Sequence, residues 1–94
     1  MTAYVIARVA IHDREPYDRY AAAFLPVLQR YGGRLLAADE APEVMDGDDQ
    51  RKVVLLAFDT REAALTWANS PEYRQIALDR IAGADVVSVL AKGV

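Results

Sequence analysis

Two side chains near the N-terminus, Arg8 and His12, could take part in chemistry. Arg8 lies inside the apolar segment YVIARVAI, where a guanidinium needs an anionic partner or a hydrated cavity. It could hold a carboxylate or an enolate, or it could form a structural ion pair at the strand edge or at an interface. His12 is the only histidine, so any imidazole base must be this residue. Asp13 could orient its ring, but His12 could equally be an exposed loop residue.

Aromatic residues in both halves of the chain could line a ligand pocket. Trp67 and Tyr73 could form its wall between helices and sheet, with the Tyr73 hydroxyl or Arg80 as a polar anchor. Tyr20 lies on the apolar stripe of a predicted helix, close to Pro26, and could line the same cavity. The alternative for all of these aromatic residues is ordinary core packing.

Several kinds of site are excluded by residue type. The chain has no cysteine, which removes disulfides, thiolate nucleophiles and cysteine-based metal centres, and a single histidine excludes a histidine-rich metal site. Asp46, Asp48 and Asp49 lack the spaced ligands of a calcium loop, so they indicate a solvated turn. No phosphate loop, dinucleotide fingerprint or Ser/His/Asp order is present. The sequence therefore predicts neither a metal nor a cofactor.

Length and charge limit the partners. With 94 residues and 53% hydrophobic content, the chain is expected to form one domain over residues 1–94. A domain of this size has a small hydrophobic core, and association with a second copy often buries additional apolar surface. The net charge is -3 and the basic residues are scattered singly, which argues against nucleic acid. The longest apolar run, VVLLAF, is too short for a membrane span, and no signal peptide is recognised, so a cytoplasmic location is expected.

The pattern along the chain alternates between strand and helix. YVIARVAI predicts a first strand with two apolar faces, and a helix follows that is capped by Asp13, kinked at Pro26 and ended by Gly32 and Gly33. RLLAAD, the short segment EVMDG and the buried strand VVLLAF come next. Thr60 begins a short helix, and the SPEY motif at Ser70 ends it and starts another. DVVSVLAK predicts the last strand.

This order is that of a ferredoxin-like α+β fold, with a four-stranded antiparallel sheet and helices on one face. The strands Tyr4–Ile11 and Val53–Phe58 are apolar on both sides, although the helices can cover only one side of the sheet. The open face therefore predicts a homodimer in which a second copy stacks face to face.

Several elements recur at a spacing that is specific when they are taken together. They are Tyr17 and Tyr20, Pro26, YGG at 31–33, VMDG, VVLLAF, and Ala64 and Trp67 followed by SPEY at 70–73. In these elements nearly the whole chain resembles the domain-of-unknown-function 1330 (DUF1330) family, within the dimeric α+β barrel superfamily. It departs from the family at Ala68, where an aromatic residue is common, and in its short C-terminus. The resemblance implies a ferredoxin-like dimer and no particular reaction.

Two functions remain open. The first is an enzyme or binding protein for a compact, partly apolar and anionic metabolite, with Arg8 as the anion anchor, His12 as a base, and Trp67 and Tyr73 as walls. The resemblance places cofactor-free monooxygenases, lactone isomerases and haem enzymes in the wider superfamily, and this fold-level analogy supports the hypothesis only weakly. The second is a non-catalytic dimerisation or interaction module, in which the aromatic residues are only packing.

Overall fold

The computed structural model describes residues 1–94 and contains a four-stranded antiparallel sheet with three helices on one face. In chain order the elements are β1 (Ala3–Ile11), α1 (Arg14–Arg30), β2 (Arg34–Asp39), β3 (Lys52–Phe58), α2 (Arg61–Ala68), α3 (Pro71–Gly83) and β4 (Ala84–Lys92). The strand order is β2-β3-β1-β4, with β1 and β3 in the centre. This arrangement is the ferredoxin-like α+β fold, as the sequence predicts.

Helix α1 begins and ends where its local signals place it. The Asp13 carboxylate accepts a hydrogen bond from the Glu15 N–H at 3.3 Å, which satisfies a free backbone donor of the first turn. The helix then continues through Pro26. Gly32 follows its last turn with φ +78°, a left-handed conformation that favours glycine. The chain can therefore turn sharply from α1 into β2.

The junction between α2 and α3 depends on one buried hydroxyl. Ser70 accepts a hydrogen bond from the Tyr73 N–H at 3.1 Å and donates to the Trp67 carbonyl at 2.8 Å. The same side chain thus closes the end of α2 and caps the start of α3, and Pro71 occupies the first position, where no N–H is needed. This geometry confirms the predicted double role of the SPEY motif, and it fixes Trp67 and Tyr73 beside each other.

Alternation along the strands gives the sheet two different faces. Val5, Ala7 and Val9 of β1 point towards the helices, and the core on that side includes the fully buried Leu56 and Phe58 of β3. The opposite face carries Ile6, Leu55, Val87 and Val89, which no helix covers. None of the three helices is long and apolar enough to cross a membrane.

Candidate functional site

A cavity of about 610 Å³ lies between the helices and the covered face of the sheet. Of the 22 residues that line it, 19 are hydrophobic, and every strand and every helix contributes to it. Its floor is formed in part by small side chains, because Ala7 in the centre of β1 lies opposite Val54 of β3 and Ser88 of β4. Small-molecule sites commonly measure ~300–1,000 Å³. The cavity is therefore large enough for a metabolite.

An aromatic cluster forms one wall of the cavity. The Trp67 ring lies 4.3 Å from the Tyr73 ring, 5.4 Å from Phe58 and 6.1 Å from Phe24, measured between centroids. These tilted and edge-on pairings are the arrangements that aromatic rings prefer. The indole N–H of Trp67 is buried and has no acceptor. The wall thus offers an apolar surface with an unused hydrogen-bond donor.

Two tyrosine hydroxyls meet above the sheet. Tyr20 of α1 and Tyr73 of α3 are joined by a hydrogen bond of 2.9 Å between their oxygens, in which either can be the donor. Burial raises the pKa of the Tyr20 hydroxyl far above its ordinary value, and the neighbouring Tyr73 raises that pKa further. Tyr20 therefore stays protonated. Because only one of the two O–H protons is used between them, the other can be donated to a ligand.

Arg80 is the charged side chain of the cavity that has no ion-pair partner. Most of the nine arginines form an ion pair with an acidic residue, whereas Arg80 is half-buried and has neither an ion pair nor a hydrogen bond. Its Nε is completely buried without an acceptor, while its terminal nitrogens are not shielded in this way. Its charge lowers the pKa of Tyr20, although burial of that hydroxyl raises the same pKa by more. Arg80 lines the same cavity as Tyr20 and Tyr73.

Lys52 adds a second positive charge to the lining. Its side chain is 14% exposed, its Nζ lies 5.0 Å from the centre of the Tyr17 ring, and its nearest acidic group is Glu40 at 4.0 Å. No aspartate, glutamate or histidine lines the cavity. The cavity is consequently positive, although the whole chain carries a net charge of -3.

Arg8 lies on the open face of the sheet, away from the cavity. Its guanidinium donates to the Asp49 carbonyl at 2.9 Å and lies 3.3 Å from the Asp49 carboxylate, and it also reaches the Arg51 carbonyl at 3.3 Å. Hydrogen bonds from Arg51 hold the pKa of Asp49 well below its ordinary value, and Arg8 contributes to this lowering. Arg8 therefore ties the loop between β2 and β3 to the sheet.

His12 is exposed at the end of β1. Its Nε2 lies 3.8 Å from the Asp85 carboxylate, and the carboxylate of Asp13 is used to cap α1. The structure thus brings Tyr20, Trp67, Tyr73 and Arg80 together around one cavity and places Arg8 and His12 outside it. Neither His12 nor any other residue takes part in a cluster of three or more His, Asp or Glu side chains that could hold a metal.

Sequence reasoning did not single out Lys52, Phe24 or Ser88, which also line the cavity. A signal for Lys52 was present, because it has the same strand parity as Val54 and Leu56 and therefore faces the helices. Phe24 lies on the apolar stripe of α1 with Tyr17 and could have been found in the same way.

Comparison with protein families shows to which family this chain belongs. Residues 2–94 match the family described as domain of unknown function (DUF1330). The chain belongs to the DUF1330 family. No curated protein matches this DUF1330 chain.

Solved structures support the fold of this DUF1330 protein. It is similar to the RPA0582 protein of unknown function from Rhodopseudomonas palustris, with a TM-score of 0.82 and 18% identity over 99% of this chain and 82% of that one. A dimeric ferredoxin-like protein of unknown function from Jannaschia gives a TM-score of 0.70 and 13% identity over 99% and 100% of the two chains. SnoaB, a cofactor-independent oxygenase from Streptomyces nogalater, gives 0.61 and 13% over 98% and 92%. At sequence identities of 13–18%, these similarities show a shared fold and do not show a shared function.

Proposed function

We propose that this DUF1330 protein binds a small, partly apolar, anionic metabolite in the cavity of each subunit of a homodimer. The observation that carries the proposal is the combination of an apolar cavity of about 610 Å³ with a lining whose charged side chains, Lys52 and Arg80, are both cationic. A half-buried guanidinium without a partner is costly to keep, and an anionic ligand would compensate that cost.

The lining also limits what the protein could do to such a ligand. Proton transfer by a carboxylate or an imidazole has no residue to perform it there, so the available groups are the tyrosine hydroxyls and the Lys52 amine. The structural similarity to a cofactor-independent oxygenase fits chemistry in which the ligand itself is reactive, but that similarity is one of fold. Binding is therefore the core of the proposal.

The homodimer would form through the open face of the sheet. Ile6 is 37% exposed there and Val87 56% exposed, in the middle of a face whose other members include Leu55 and Val89. A second copy would bury these side chains on both subunits at once. The dimeric protein from Jannaschia, which shares the fold, supports this assembly.

Native mass spectrometry of protein purified gently from its own host tests both parts of the proposal. We expect the mass of a dimer with a small additional mass for each occupied subunit. A clean monomer at micromolar concentration would contradict the dimer. A dimer without added mass that also fails to bind any anionic or apolar metabolite in calorimetry would contradict the binding function.

The alternative is a non-catalytic dimerisation or interaction module. The dense packing of Trp67 against Tyr73 and Phe58 favours it, because such contacts need no ligand to explain them. The two functions differ in the effect of Arg80→Gln. A binding protein would lose ligand affinity and keep its dimer and its melting temperature, whereas a module would show no ligand binding to lose.

A further inference from the structure

The cavity has two chemically different ends. Lys52 lies opposite Val9 near the C-terminal end of β1, and Arg80 lies one turn before Gly83, whose carbonyl accepts the His12 N–H directly after β1. Both cations therefore belong to the same end. Trp67 belongs to the aromatic wall, which packs against Phe58 at the last position of β3, opposite the start of β1.

Tyr73 connects the two ends. Its ring lies 4.3 Å from the Trp67 ring, while its hydroxyl forms the 2.9 Å hydrogen bond with Tyr20. Seven positions along α3 from Tyr73, and so on the same helix face, Arg80 supplies the positive charge. The Tyr73 side chain therefore spans the distance between Trp67 of the aromatic wall and the hydroxyl of Tyr20.

Several polar groups of the cavity are hydrogen-bond donors without an acceptor. The tyrosine pair has one O–H proton to give, and the guanidinium of Arg80 has N–H groups without an acceptor. No acidic side chain competes for them in the cavity. A guanidinium presents parallel N–H groups that match the two oxygens of a carboxylate. A largely apolar lining with few donors suits a monoanionic carboxylate better than a phosphate, which is more highly charged and needs more donors.

We infer that the ligand of this cavity is an arylalkanoic acid, which is an aromatic ring joined to a carboxylate by a short carbon spacer. This inference rests on the proposed function of the cavity. The carboxylate binds the terminal nitrogens of Arg80 and the free proton of the Tyr20–Tyr73 pair. The ring lies against Trp67 and Phe24, where aromatic surfaces favour a tilted or offset partner. Lys52 strengthens the positive potential at the carboxylate end.

Calorimetric titration of the intact protein with 3-phenylpropanoate and with its neutral amide tests the inference. The two probes have nearly the same shape and differ in charge. We expect the acid to bind wild-type protein at least tenfold more tightly than the amide. Arg80→Gln should weaken the acid at least tenfold and leave the amide unchanged. Tyr73→Phe, which keeps the ring and removes the hydroxyl, should weaken the acid by a smaller factor.

Arg74→Gln is the matched control, because Arg74 is an exposed arginine on the same helix that does not line the cavity. It should bind both probes like wild type. If Arg80→Gln does not fold, as judged by circular dichroism, Arg80→Lys keeps the charge and removes the paired donors, and it should still weaken the acid several-fold.

The outcomes separate this inference from the proposed function. Two results would contradict the inference that the ligand is an arylalkanoic acid: equal affinity for acid and amide, or an Arg80 variant that binds the acid like wild type. In both cases the proposal that the cavity binds small molecules would stand. If neither probe binds at millimolar concentration but native mass spectrometry detects a different retained small molecule, only the arylalkanoic acid inference is contradicted. If neither probe binds and no molecule is retained, both the inference and the proposed binding function are contradicted.

Discussion

Along β1, the side chains alternate between a face that the helices cover and a face that they leave open, and both sets are largely apolar. On the covered side, Val9 of β1 and Leu56 of the adjacent strand β3 are buried. On the open side, Ile6 and Val87 remain exposed by 37% and 56%. One face of β1 thus belongs to a buried core, whereas the apolar side chains on its other face remain exposed to solvent. A second copy of the chain is the simplest means to bury them.

The covered face is not filled uniformly. Gly33, Leu28 and Phe58 meet in contact so close that no further atom fits between them. Around Ala7 and Ser88, small side chains leave the cavity instead. The covered face is therefore tightly packed at one end and open in the middle.

The largest effect is expected on the open face, from Val87→Lys. A lysine is chosen because the cross-strand neighbour of Val87 is Arg8, which would neutralise a new carboxylate but repels a new ammonium. Two buried lysines per dimer should weaken association by on the order of 4 kcal/mol, roughly a thousandfold. Sedimentation equilibrium measures the dissociation constant.

Leu78→Lys provides the control for this change, because Leu78 is 60% exposed on helix α3, on the other side of the molecule. It should leave the dimer intact. Equal weakening by both variants would show that the open face has no special role in association.

The next largest effect concerns the filled part of the covered face. In Gly33→Ala, the added methyl group would lie 2.8 Å from the Phe58 ring and against the Leu28 side chain, both fully buried. We expect a loss of about 2–3 kcal/mol in the free energy of unfolding, measured with urea. Gly32→Ala meets no neighbouring atom and costs only its left-handed φ of +78°, about 1 kcal/mol. The reverse ranking would contradict tight packing beside Phe58.

Filling the cavity should have the opposite consequence for stability. Ala7→Leu adds carbon atoms to the same covered face, but into open space, so the free energy of unfolding should stay equal or rise by about 1 kcal/mol. Ligand affinity should fall at least tenfold, about 1.4 kcal/mol, because the new side chain occupies the ligand volume. Thermal melting and calorimetry on one sample measure both quantities. A large loss of stability would mean that the space beside Ala7 is already filled.

The smallest effect concerns the loop that Arg8 ties to the open face. The pKa of Asp49 is lowered in the folded protein by its hydrogen bonds from Arg51, so its contribution to stability is complete above the unfolded pKa of about 3.9. That contribution is lost as the pH falls below this value. Asp49→Asn should therefore flatten the pH dependence of urea unfolding between neutral and strongly acidic pH. Asp48→Asn, at a neighbouring exposed position, should reproduce the wild-type profile.

Local signals predicted most of the fold. Asp13, Thr60 and Ser70 each cap a helix as expected. Alternation grouped Val5, Ala7 and Val9 on one face of β1, but it did not show which face the helices cover. The partners of the charged groups were harder to foresee. Arg8 is neutralised by Asp49, 41 positions away, and the isolation of Arg80 becomes visible only when the positions of all acidic side chains are known. Ion pairing depends on the tertiary arrangement, which sequence periodicity does not encode.

The position of Trp67 makes the cavity observable by light. It is the only tryptophan of the chain, and its ring is buried in the cavity wall. Excitation at the red edge of indole absorption, which avoids the five tyrosines, therefore reports from this one location. A ligand that enters should change the colour or the intensity of the emission. Dissociation of the proposed dimer, at the opposite face of the sheet, should leave the emission almost unchanged. Ligand occupancy and assembly could then be followed independently in a single unlabelled sample.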